Sequence, residues 1–170
     1  MPSYSFFCFQ VAEELKQVPP LPSMPPCLFP TRLPLPPYIH CGLPITDAQI
    51  KQVLRDNHYR SPMRLFDEHG NIVPASPDEP VPAMDATAAA QYISERVGYP
   101  VDVRYVLNAP TDAILSFGDN YALYRKAKVL PTNEKLQELL KFLELPEIEK
   151  PKWYIACLDY DWSFSRFGYC

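Results

Sequence analysis

The run Lys152-Trp153-Tyr154-Ile155-Ala156-Cys157-Leu158-Asp159-Tyr160-Asp161-Trp162 constrains the fold more than any other stretch of this chain. Side chains alternate along a strand, so one face carries Trp153, Ile155 and Cys157 and the other Tyr154, Ala156 and Leu158. A strand that is apolar on both faces belongs inside a covered sheet. The similar run, Tyr4-Ser5-Phe6-Phe7-Cys8-Phe9-Gln10-Val11, lies at the other end of the chain. The pattern therefore predicts that residues 4–11 and 152–162 are neighbouring, central strands of one sheet.

Proline sets the second constraint. There are 21 prolines, and 11 of them precede residue 45. Such an excess usually marks disorder. Segment 19–44, however, carries one charge, Arg32, among Leu21, Met24, Leu28, Phe29, Leu33, Leu35, Tyr38, Ile39 and Leu43. Disordered segments have the opposite composition. The segment reads as a polyproline-like strap packed on the body. Its prolines already fix φ and so lower the cost of ordering it.

Between these features the elements follow from local signals. Thr46-Asp47-Ala48-Gln49 is a capping box, with Ile45 and Ile50 placed as a hydrophobic staple, and it starts a helix over 45–58. Residues 62–84 read as loop, with a small hairpin of Leu65-Phe66 against Ile72-Val73. A second helix over 85–98 takes Asp85 as N-cap and Gly98 as a left-handed C-cap. A meander over 101–126 is expected as strands 101–107, 113–117 and 121–126. Asn108 to Asp112 and Gly118-Asp119-Asn120 supply its turns. Thr132 caps a third helix over 132–145, whose Leu136, Leu139, Leu140 and Leu143 share one face. Residues 163–170 form an aromatic tail. The order points to a single α+β domain with one mostly antiparallel sheet and three helices. That is a split β-α-β, ferredoxin-like arrangement with an extra strand.

Composition narrows function more by exclusion than by signal. A formal charge of −4 argues against nucleic acid, whose binders show a basic footprint. The densest basic cluster, Arg125, Lys126 and Lys128, reads as a solvated strand end. No apolar run approaches the ~20 residues of a membrane span, and the first residues lack the basic start of a secretory signal. The five cysteines are an odd, scattered set and read as reduced thiols of a cytosolic protein. Neither metal-ligand spacing nor a cofactor-binding motif is present in the sequence.

Four constellations remain. Asp159 and Asp161 emerge on one face of the last strand and could act as acid and base or hold a hard cation, against the plainer reading of a solvated strand end. His40-Cys41 invites a nucleophile reading, but adjacent residues of an extended chain face opposite ways. Trp162, Phe164 and Phe167 could make a docking edge or simply seal the core. Pro19-Pro20-Leu21-Pro22 and Leu35-Pro36-Pro37-Tyr38 match patterns bound by WW domains. A packed strap would mask both.

The sequence is read as a non-catalytic protein-binding protein with no cofactor or metal. Its expected partner is another protein, neither nucleic acid nor membrane, and self-association stays open. One alternative is a small enzyme using Asp159 and Asp161. Another is a binder of a small apolar molecule, in a pocket lined by Tyr121, Tyr160 or Trp162.

Overall fold

A computed structural model describes residues 16–31, 36–61, 65–66, 69, 71–73, 81–111, 113–147 and 149–157. The expected strand over 4–11, the tail after Cys157, Leu35 and Arg32 lie outside the described residues. Among those described, the fold is α+β, with one antiparallel four-stranded sheet and four α-helices.

The elements are β1 (Ile39–Ile45), α1 (Asp47–Asp56), β2 (Leu65–Phe66), β3 (Ile72–Val73), α2 (Ala83–Val97), β4 (Asp102–Tyr105), β5 (Ala113–Asp119), α3 (Asn120–Tyr124), α4 (Asn133–Phe142) and β6 (Lys152–Ile155). The sheet order is β4-β5-β1-β6, and β2 pairs with β3 as a separate hairpin. Three expectations are corrected. Residues 39–44, read as the end of the strap, form most of β1, which lies between β5 and β6. Pro44 is tolerated because the β1–β6 ladder runs only to Gly42, so the missing N–H falls beyond it. Residues 121–126, read as a strand, instead carry α3 and the turn that ends it. The Asp119 side chain caps this helix, accepting from the N–H groups of Tyr121 (2.9 Å) and Ala122 (2.8 Å). Finally, among the described residues β6 takes β1 as its sheet neighbour and stands last in the order, where the centre was expected.

The outer edge of β6 is nonetheless occupied. Trp153 exchanges both backbone hydrogen bonds with Leu21, at 2.9 and 3.0 Å. Farther along, the chain just past β4 reaches the same edge. The Leu107 N–H donates to the Ile155 carbonyl at 3.0 Å, and the Cys157 N–H to that of Tyr105 at 3.2 Å. Since β4 and β6 are the outermost strands, the sheet curls until its ends meet here. Val106, Ile114 and Tyr154 form a small buried cluster on one face of the sheet.

The other face carries the main core. Leu43, Ile45, Leu115, Phe117, Trp153 and Ile155 meet Ile50, Val53 and Leu54 of α1. Ala86, Ala89, Ile93 and Val97 of α2 join them, as do Leu139 and Leu140 of α4 and Leu143 beyond it. The alanines give α2 a thin face, and it lies against β4 and α1. The capping box at Thr46 forms as expected: Gln49 N–H donates to Thr46 Oγ1, and Thr46 N–H to Gln49 Oε1. The α2 cap differs. The helix starts at Ala83 after Pro82, and Asp85 lies inside its first turn, buried and accepting the Ser61 hydroxyl at 2.8 Å. A carboxylate there still favours the helix N-terminus.

All four helices end in the same way. A residue with positive φ follows the last turn, and the next N–H reaches back five residues. These bonds run from Tyr59 to Leu54, Tyr99 to Ser94, Ala127 to Ala122 and Leu145 to Leu140. Only α2 uses glycine, Gly98; the others use His58, Lys126 and Glu144, with φ near 55°. A side chain there costs about 1 kcal/mol. His58→Gly, Lys126→Gly and Glu144→Gly should therefore each stabilise the fold by about 1 kcal/mol in urea unfolding. A loss of stability in all three would contradict this reading of the helix ends.

Candidate functional site

Four of the described candidate residues, Pro36, Pro37, Tyr38 and Tyr121, meet at α3, a helix of five residues with three different faces. Asn120, its first residue, is fully buried. Its Oδ1 accepts the Ile39 N–H at 3.1 Å, and its Nδ2 donates to the carbonyls of Leu28 (2.7 Å) and Pro37 (3.0 Å). One amide thus joins the start of β1 to two parts of the proline-rich segment. Leu123 packs against the main core. Tyr121 and Tyr124, three residues apart, share the remaining face.

Both tyrosines meet aromatic residues from the proline-rich segment. The Tyr121 ring lies 4.5 Å from that of Tyr38, tilted by 33°, and its hydroxyl donates to the Pro36 carbonyl. The Tyr124 ring lies 6.0 Å from that of Phe29. Such offset pairs contribute about 0.5–1.5 kcal/mol beyond burial. Burial is incomplete here: Tyr38 remains 48% exposed and Tyr124 49%. Arg125 and Lys126 leave the end of the same helix, exposed and without a carboxylate partner among the described residues. Lys128 differs, its Nζ holding Asp102 Oδ2 at 2.8 Å. The basic cluster therefore ends a helix, not a strand.

The other sequence candidates separate. Pro19 and Pro22 are exposed and Pro20 half-buried, while Leu21 is held in the pairing with Trp153 and packs on the core. Asp159, Tyr160, Asp161, Trp162, Phe164 and Phe167 lie outside the described residues, as does Leu35. His40 and Cys41 lie on opposite faces of β1. Cys41 is in the main core, where burial pushes its thiol up to about 12, so no thiolate forms near neutrality. Among the described residues, no three or more His, Cys, Asp or Glu gather as a metal would need. No described helix is long and apolar enough to cross a membrane.

Sequence reasoning missed the two buried asparagines that hold the proline-rich segment. Asn120 is one. Asn108 is the other, accepting the Ile155 N–H at 2.8 Å and donating to the Val18 carbonyl at 3.1 Å. Both stand in turn-like sequence, and their partners are remote.

His40 sets a pH dependence. Burial lowers it to about 4, against the pull of Asp119; Arg104 and Lys128 lower it further and Asp102 raises it. The unfolded chain binds this proton near 6.5, so between about pH 6.5 and 4 the unfolded state holds more protons. Stability should fall with pH across that window, by about 2 kcal/mol from pH 7 to pH 5. His40→Gln should flatten the slope, read as the difference between the two proteins so that shared carboxylates cancel. Parallel curves would show that His40 is not buried as a neutral group.

Comparison with protein-family models, with curated proteins and with solved structures finds no match. The functional reading therefore rests on the site's own geometry.

Proposed function

We propose that this chain is a non-catalytic protein-binding module of the cytosol. In this reading its architecture is a split β-α-β, ferredoxin-like body with an extra strand, and the proline-rich segment is packed on it as a strap. The strand order supports the architecture, since β1 and β6, the first and last strands of the described sheet, lie side by side. The contacts of Val18, Leu21, Leu28, Pro36 and Pro37 with the body support the strap. The buried thiol of Cys41 suits a reducing compartment.

The binding reading rests on the half-exposed aromatic pairs on α3. Tyr and Phe combine large contact area with little rotamer entropy, which suits them to interfaces. The Pro36-Pro37-Tyr38 part of the strap's WW-like pattern is then occupied within its own chain by Tyr121 and Asn120, so a WW-type partner would have to displace both.

A photo-crosslinking amino acid in place of Tyr124 tests the proposal, with the same group in place of exposed Gln137 on α4 as control. Irradiation in native extract should give a discrete protein adduct from position 124 and none from 137. Equal labelling at both positions, or none at either, would overturn it.

A further inference from the structure

The surface beside α3 has a charge character opposite to that of the whole chain. The net charge is −4, yet Arg125 and Lys126 stand exposed without a carboxylate partner among the described residues. They follow directly on Tyr124, so their α-carbons lie within about 7.6 Å of chain path from its own. The chain then turns through Lys126, whose φ is 57°. Val129 follows at 73% exposure and Leu130 at 46%. The Tyr99 hydroxyl fixes this loop by donating to the Val129 carbonyl at 2.6 Å. An aromatic ledge, two cations with no carboxylate partner among the described residues and an exposed aliphatic pair therefore follow one another on a short, anchored path.

We propose that this path, from Tyr38 and Tyr124 through Arg125 and Lys126 to Val129, docks an acidic segment of a partner protein that carries an aromatic side chain. The inference rests on the protein-binding reading above and names the chemistry of the partner. Charge complementarity selects the occupant: an acidic segment meets repulsion from the chain's overall charge and attraction here, which fixes where and how it lands. Its aromatic side chain packs on the Tyr38–Tyr121 and Phe29–Tyr124 pairs, and the two cations take its carboxylates. Single-stranded nucleic acid also uses aromatic and cationic surfaces, but it needs a groove that tracks many phosphates. Arg125 and Lys126 alone, on an acidic chain, supply little of that.

Fluorescence anisotropy with the full chain and three labelled probes tests this: a random copolymer of glutamate and tyrosine, polyglutamate, and single-stranded oligothymidine. The copolymer should bind about tenfold more tightly than polyglutamate. Its binding should weaken about fivefold between roughly 50 and 300 mM salt. Arg125→Glu with Lys126→Asn, asparagine being tolerant of positive φ, should remove the salt dependence. Tyr38→Ala with Tyr124→Ala should lower copolymer affinity to that of polyglutamate. Arg125→Ala with Lys126→Gly removes the charges while relaxing the backbone, and should behave as the charge-reversed protein does. Equal binding of copolymer and polyglutamate, unchanged affinity in these variants, tighter binding of oligothymidine, or no binding would each overturn the inference. An adduct at position 124 that survives charge reversal overturns only the acidic-partner inference. Absence of any adduct overturns the protein-binding reading as well.

Discussion

Replacing Asn120 with leucine is expected to destabilise the protein by about 4 kcal/mol, because it leaves one N–H and two carbonyls unpaired in a buried site. Each such group costs about 1–3 kcal/mol, and partial relaxation toward water offsets some of the sum. In a chain of this length the loss corresponds to about 10 °C in melting temperature. Asn120→Asp separates the two directions of hydrogen bonding. Its carboxylate can still accept from Ile39 but faces the Leu28 and Pro37 carbonyls, so that variant should regain stability on acidification, as protonation restores one donor. Trypsin cleavage after Arg32 should accelerate in both variants, because Asn120 ties the chain on either side of that residue. A leucine variant that melts within two degrees of wild type would mean the amide is not the joint between α3, β1 and the proline-rich segment.

What could be read from the sequence, and what could not, divides by the range of the interactions. The start of α1 was legible because a capping box is closed within four residues, and Thr46 and Gln49 form it. The leucines of α4 were legible because helical periodicity is local, and Leu139, Leu140 and Leu143 are buried. The hairpin of β2 and β3 followed from two short apolar runs around a turn. By contrast, β1 was hidden because Gly42 and Pro44 weaken a strand pattern and the proline-rich run before it invites continuation. α3 was hidden because Gly118-Asp119-Asn120 looks like a turn, and Asp119 is in fact a helix cap. The asparagines were the least legible. Asn120 meets Leu28 at a separation of 92 residues, and Asn108 meets Val18 at 90. A polar residue becomes structural only where the fold brings it partners, and no local pattern records that. The aromatic site has the same origin: Tyr38 and Tyr121 were both singled out, but for different ligands, and tertiary packing stacks them on each other.

Gly42→Ala should be about as damaging as loss of Asn120, for a reason that involves no polar group. A Cβ on Gly42 would sit 2.3 Å from the carbonyl oxygen of Leu115 and 3.1 Å from Ile114 Cδ1. The first obstacle is backbone of the neighbouring strand and cannot rotate away. β1 would have to separate from β5 while β6 holds its other side through the Gly42–Lys152 pairing. Overpacking of this kind costs about 3 kcal/mol, and it should appear as a lower urea midpoint with an unchanged slope. Gly98→Ala is the control. There the nearest atom to a new Cβ is Lys135 Nζ at 3.7 Å, and only the positive φ of 66° is penalised, so the cost should stay near 1 kcal/mol. Gly42 also sits at the register shift where Phe117 is the extra residue of β5. That extra residue lies two positions before Asp119, the cap of α3, and three before Asn120, its first residue. A displaced β1 should therefore weaken the Asn120–Ile39 bond and loosen the aromatic face, so Gly42→Ala should also reduce crosslinking at position 124. If it costs no more than Gly98→Ala, the strands do not approach as closely as this register requires.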